Sequence, residues 1–155
     1  MTQTIDTRLA ELGITLPTPA APVASYVPAV EAHGMLHISG QISFAEDGSL
    51  IKGRLGEDVD LDAGIAAARR CGIMLLAQIK AALGSLDRVE RIVKLGVFVN
   101  SAGSFTDQPK VANGASELMK DVFGEAGRHA RSAVGVAVLP LGVAVEVDAI
   151  VAIRP

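Results

Sequence analysis

The strongest periodicity in the chain runs from Leu61 to Leu83. Leu61, Ile65, Ala68, Gly72, Leu75, Ile79 and Leu83 recur at steps of three and four, which places them on one face of a helix. Asp58 and Asp60 suit its N-terminus and Gly84 its end. A second helix is predicted from about Pro109, a residue suited to a first turn, to Phe123, with Gly124 as the stop. Ile5, Leu9 and Leu12 predict a short helix within residues 1–13, ending at Gly13. The segment from Leu16 to Pro22 holds Pro17, Pro19 and Pro22 and reads as an extended connector. Strands are predicted from Ser25 to Val30, from Met35 to Ser39 after a turn at His33-Gly34, and from Arg88 to Asn100. Glu46-Asp47-Gly48 marks a turn joining two short strands between Phe44 and Lys52.

The last 25 residues alternate with period two and predict a hairpin. Val134, Val136 and Val138 alternate with Arg131, Ala133, Gly135 and Ala137. Val143, Val145, Val147, Val151 and Ile153 alternate with Ala144, Glu146, Asp148 and Ile150. The β-branched face is expected to pack on the helices. The other face carries small residues with Arg131, Glu146 and Asp148, leaving room for a ligand or another subunit to approach. Matching the valines pairs Val138 with Val143, Val136 with Val145 and Val134 with Val147. Arg131 then lies one diagonal step from Asp148, while Glu146 lies about 13 Å away along the ladder at roughly 3.3 Å per residue. In this register Arg131 and Glu146 meet only across subunits or through a bulge.

Composition narrows the function. At 155 residues the chain fits one compact domain, taken as residues 23–155 behind an N-terminal arm of residues 1–22. Half of the residues are hydrophobic, with one Tyr, four Phe and no Trp, so the core must be aliphatic. The net charge is -3, and no basic run exceeds Arg69-Arg70, which weighs against nucleic acid as a partner. Cys71 is the single cysteine and reads as a small buried hydrophobe. No His/Cys set has zinc spacing, so no zinc site is expected. Asp6, Arg8 and Glu11 interrupt any apolar leader, and the stretch from Ala133 to Val145 is broken by Gly135, Pro140 and Gly142. The expectation is a cytoplasmic protein without a membrane span.

Several segments together resemble the reactive intermediate deaminase (Rid, or YjgF-type) family over residues 23 to 153. They are Ser25-Tyr26-Val27, Ile38-Ser39-Gly40-Gln41, Val97-Phe98-Val99, Val111-Ala112-Asn113, Ala130-Arg131-Ser132, Leu139-Pro140 and the run from Val145 to Ile150. The resemblance implies a chorismate-mutase-like α+β fold, a mixed sheet with two helices on one face. It also implies a homotrimer with clefts between subunits that bind small carboxylates. It further implies hydrolysis of enamine or imine acids such as 2-aminoacrylate to 2-keto acids and ammonia, without a cofactor. The carboxylate-binding arginine falls on Arg131 and the water-orienting acid on Glu146. The ligand-side tyrosine falls on Tyr26, the pocket wall on Ser39 and Gly40, and the pocket asparagine on Asn113. The position two after the arginine, often Cys, is Ala133, and the Pro that commonly precedes Ala-Arg is replaced by His129. The segment between Phe105 and Asn113 and the N-terminal arm are longer than in compact members, which resembles a longer branch of the family.

The residues support part of this chemistry directly. An arginine offers a planar fork that stays charged and bonds a carboxylate in two parallel contacts. The competing role for Arg131 is a salt bridge to Asp148. Glu146 suits a base for water, or an interface ion pair. Tyr26 suits a pocket wall or an interface, and Asn113 a helix cap, a solvent position or a cleft. His33 and His37 read as packing or surface residues, and His129 as a loop residue near the site. No Ser/His/Asp or Cys/His set is legible. Three functions follow for testing: an imino-acid deaminase hydrolase, a non-catalytic keto-acid sensor, and a ribonuclease or translation inhibitor, the last disfavoured by the acidic balance.

Overall fold

The computed structural model describes residues 3–21 and 24–155. Helix α1 spans Ile5–Glu11, α2 Leu61–Leu83 and α3 Gln108–Phe123. The strands are β1 Ala29–Ala32, β2 Met35–Ile42, β3 Val89–Asn100, β4 Ala130–Val136 and β5 Val145–Ile153. The boundary drawn between residues 22 and 23 lies outside the described residues.

Helix α2 forms where its periodicity places it. Asp60 caps it by accepting a hydrogen bond from the Ala63 N–H at 2.8 Å, and Gly84 ends it in a left-handed conformation with φ of 80°. Asp58 instead accepts from the Arg54 N–H and shapes the preceding loop. Helices α2 and α3 lie together on one face of the sheet, and Gly114 makes their close approach possible. A side chain there would collide with the backbone carbonyl of Ile65. Between helices and sheet lie Leu75, Leu76, Ile79, Leu118 and Met119, facing Leu36, Val97, Val99, Val145, Val147 and Val151, all buried. Each such side chain contributes about 1.5–3 kcal/mol by leaving water. Leu9 of α1 joins this cluster, with Ile5 and Leu12 packed against it.

The five strands form one mixed sheet in the order β1-β2-β5-β3-β4. The predicted C-terminal hairpin does not form. β5 inserts between β2 and β3, antiparallel to both, while β4 lies at the edge, parallel to β3. Alternation specifies which face a side chain takes, and the strand that lies alongside is set elsewhere. Here the segment from Leu139 to Gly142 carries the chain past β3, with Leu141 and Gly142 both at positive φ. Asn100, at the end of β3, donates to the Val143 carbonyl at 3.1 Å and secures that passage.

The faces of β4 are also the reverse of the expectation. Arg131, Ala133 and Gly135 pair with Leu95, Val97 and Val99, the helix-facing residues of β3. Val134 is 45% exposed and Val138 67%, on or beyond the uncovered side. β5 keeps its predicted orientation, with Val145, Val147, Val151 and Ile153 buried. The strand expected from Ser25 begins only at Ala29, because Pro28 has no N–H to give to a ladder. The turn expected at Glu46-Asp47-Gly48 is present, but the two short strands it was expected to join reduce to isolated bridges, Phe44–Leu50 among them.

Candidate functional site

Helix α3 presents Asn113, Ser116 and Lys120 at steps of three and four, along one side of the helix. Arg131, on the helix-facing side of β4, reaches two of them. Its Nη1 donates to Asn113 Oδ1 at 2.8 Å and to Ser116 Oγ at 3.1 Å. Both acceptors are neutral and both sit on one nitrogen, so the edge formed by Nε and Nη2 has no hydrogen-bond partner among the described residues. Among those residues Arg131 also makes no ion pair. The salt bridge to Asp148 is ruled out by geometry, since Asp148 points from the other face of the sheet.

Sequence reasoning did not single out Ser116, and it placed His129 in a loop near the site, where the structure also has it. The His129 Nδ1 lies 2.6 Å from the Gly127 carbonyl, and Nε2 lies 2.9 Å from Ser116 Oγ. A carbonyl only accepts, so Nδ1 carries the hydrogen and neutral His129 offers its Nε2 lone pair to the Ser116 hydroxyl. Burial lowers the His129 pKa, the Arg131 charge adds to that effect, and the Gly127 carbonyl opposes it. Gly127 is itself obligatory, because a side chain there would strike the Met119 carbonyl. Around this network lies an open pocket of about 370 Å³, lined by Ser116, Glu117, Lys120, Arg128, His129 and Arg131. The three-residue step from Asn113 to Ser116 was the available signal for Ser116. It needed the parallel β3–β4 pairing to bring His129 beside it.

The remaining predicted residues gather on the uncovered face. A register shift in β2 between Ile38 and Gln41 throws Ser39 and Gly40 outward. Gln41, buried, bonds the Ser39 carbonyl at 2.9 Å, and Gln78 of α2 bonds Gln41 in turn at 3.3 Å. Ser39 Oγ donates to the Val27 carbonyl at 3.3 Å, which ties down the segment bearing Tyr26, itself 63% exposed. Gly40 lies against Glu146 so closely that an added Cβ would stand 2.8 Å from the Glu146 carboxyl carbon. Glu146 has its pKa raised by burial first and by Asp148 second. Asp148 is raised by burial, against the opposing Gly96 N–H and Lys94. A second open pocket of about 660 Å³ runs over His37, Ser39, Lys94, Phe98, Val134 and Asp148 on this face.

The structure therefore gathers the candidate residues into two separate clusters. Arg131 and Asn113 belong to one, Ser39, Gly40 and Glu146 to the other, with Tyr26 tethered to the second through Ser39. Ala133 shares the Arg131 side but is turned into the core beneath α3 rather than lining the pocket. Arg131 stands opposite Leu95 and Glu146 opposite Phe98, with β3 between them. Strand geometry puts their backbones about 14 Å apart, on opposite faces. The β2 bulge does not change this. Among the described residues no group of three His, Cys, Asp or Glu could hold a metal ion. No described helix is long and apolar enough to cross a membrane.

A five-stranded mixed sheet with helices on one face, built around these segments, defines an α+β protein of chorismate-mutase-like architecture. The chain belongs to the family described as "YjgF/chorismate_mutase-like, putative endoribonuclease", whose model matches residues 6–151. It is 56% identical to Protein TCP17 of Trypanosoma cruzi over 144 residues, 92% of this chain and 90% of that protein. A solved structure of a protein of unknown function from Agrobacterium tumefaciens is 45% identical. It covers 97% of this chain and 94% of its own, with a TM-score of 0.89. RidA from the Antarctic bacterium Psychrobacter is 31% identical over 88% of this chain and 94% of its own, at a TM-score of 0.60.

Proposed function

We propose that the protein hydrolyses reactive 2-imino or enamine acids to 2-keto acids and ammonia. One observation carries this reading. Arg131 is held by two neutral acceptors on Nη1, and its Nε–Nη2 edge meets no protein carboxylate among the described residues beside an open pocket. That edge is the one that bonds a carboxylate in two parallel contacts. Similarity to RidA and membership of the family support the reaction class. The substrate is a small carboxylate-bearing metabolite in a cytoplasmic protein, without nucleic acid or membrane as partner.

The second cluster then comes from another copy of the chain. In a homotrimer the uncovered faces pack together, and Glu146 of a neighbour orients the water while N–H groups near Ser39-Gly40 polarise the substrate. An imine is already electrophilic, so positioning supplies most of the catalysis. The test couples the pure protein to a threonine dehydratase and follows imine decay. Arg131→Ala is expected to abolish the acceleration, and a wild-type rate in that variant would refute the mechanism. Tight keto-acid binding without turnover on any imino acid would favour a sensor instead. The acidic balance disfavours a ribonuclease, and failure to retain RNA at low salt would close that reading.

A further inference from the structure

The carboxylate anchor sits beside a serine–histidine pair that the reading above leaves unused. We infer that Ser116 and His129 form a proton relay serving the Arg131 pocket, and that they are catalytic residues for hydrolysis of the anchored imino acid. This rests on the Arg131 reading and extends it. The geometry has the three features a relay needs. The hydroxyl and the imidazole are 2.9 Å apart, the imidazole is fixed in one tautomer by the Gly127 carbonyl at 2.6 Å, and both side chains line the open pocket that Arg131 shares. Arg131 Nη1 donates to the same Ser116 oxygen at 3.1 Å, which stabilises negative charge there as the proton moves. Within one chain Glu146 projects from the opposite face and does not reach this pocket.

The relay balances the reaction with water as the only co-reactant. Water adds to the iminium carbon, and the new C–O bond forms as the π electrons of the C=N bond move onto nitrogen. The proton lost by water passes to Ser116 Oγ while the proton of Ser116 passes to His129 Nε2. The same route returns a proton to the nitrogen. The C–N bond then breaks with its electron pair on nitrogen, ammonia leaves, and the hydroxyl proton of the nascent carbonyl ends on ammonia as ammonium. Iminium plus water has become keto acid plus ammonium.

The charged groups facing His129 are Lys120 and Glu117 on α3, with Arg128 and Arg131 flanking it in the chain; Arg128 is itself paired with Glu125 at 3.4 Å. The relay works with neutral His129, so kcat should fall as pH drops through the titration of His129.

The experiment measures imine hydrolysis from pH 5 to 9 together with keto-acid binding, on the full chain. The variants are His129→Phe, Ser116→Ala, Ser116→Thr and Arg131→Ala. His129→Phe and Ser116→Ala are expected to lower kcat about 100-fold while leaving keto-acid Kd within about twofold, and His129→Phe to lose the acid limb of the profile. Ser116→Thr keeps the hydroxyl and should keep most of the rate. Ser116→Ala favours the helix, so this pair decides the matter even if His129→Phe folds poorly. Wild-type kcat and pH profile in the Ser116 and His129 variants, with Arg131→Ala inactive, would overturn the relay and leave the anchor standing. Equal losses in kcat and keto-acid affinity would reduce the pair to props for Arg131 and also overturn it. Full activity in Arg131→Ala would bring down both readings.

Discussion

Glu146 occupies the space that a side chain at residue 40 would need, its carboxyl carbon 2.8 Å from where a Gly40 Cβ would lie. The absent side chain of one strand thus sets the position of the acid on the next. Gly40 has no positive φ, so what it contributes is space rather than backbone freedom. Gly40→Ala should displace the flexible end of Glu146 and cut imine hydrolysis at least tenfold. The melting temperature should move little, because the obstacle is a movable carboxylate. Parallel kinetics and thermal melts would check both halves.

Arg131→Lys keeps the charge and loses the fork. Keto-acid affinity should fall roughly tenfold, about 1.4 kcal/mol, because one point charge replaces two parallel hydrogen bonds. Calorimetric titration of wild type and variant reads this directly. Equal affinities would mean that the free edge is not the binding edge.

Gly114→Ala tests the packing of the two long helices. Its methyl group would press on the Ile65 carbonyl, a backbone atom that cannot turn aside. The expected cost is about 3 kcal/mol, or roughly 6–10 °C in melting temperature. An unchanged melt would contradict the close approach of α2 and α3.

The raised pKa of Glu146 has a definite sign in stability. A carboxyl that holds its proton more tightly when folded is charged at a cost above its folded pKa, so that contribution to stability falls as pH rises through the interval. Glu146→Gln should therefore melt above wild type at pH 7.5. The difference should shrink as pH falls, and vanish below the unfolded value. Melting curves across this range decide it, and a difference that grew toward acid would reverse the assignment.

Cys71 is fully buried, and burial pushes its thiol well above the usual range. A thiol reagent should leave the native protein unmodified for hours and titrate one thiol in denaturant. Rapid modification of the native protein would disprove this.

Much of the architecture was legible in local pattern. Leu61–Leu83 and the α3 segment carry strong helical periods with Asp60, Gly84 and Gly124 in place, and β5 keeps its predicted buried face. What misled was β4. Its small and branched residues alternate as clearly as those of β5, yet Val134 and Val138 are exposed while Arg131 and Ala133 pair with helix-facing residues of β3. A two-residue period is symmetric between faces, and only the neighbouring strand breaks the symmetry. The reversal also explains why Ser116 escaped notice and why His129 read only as a loop residue near the site. They are 13 residues apart in sequence and meet only once the edge strand runs parallel to β3. Tyr26, Ser39, Gly40 and Asn113 were named through resemblance alone, since nothing in their spacing marks them.

The position of β5 reaches beyond the folded state, into folding. It is the fifth strand made and the third in the sheet, with β2 on one side and β3 on the other. Until β5 docks, the pair β1–β2 and the pair β3–β4 have no strand to join them. Each then exposes an edge that β5 will later occupy. The two clusters of candidate residues ride on these two halves, Arg131 with β4 and Ser39-Gly40 with β2. Any copy in which β5 has not yet docked therefore presents two open edges to its neighbours, a state prone to pairing between chains.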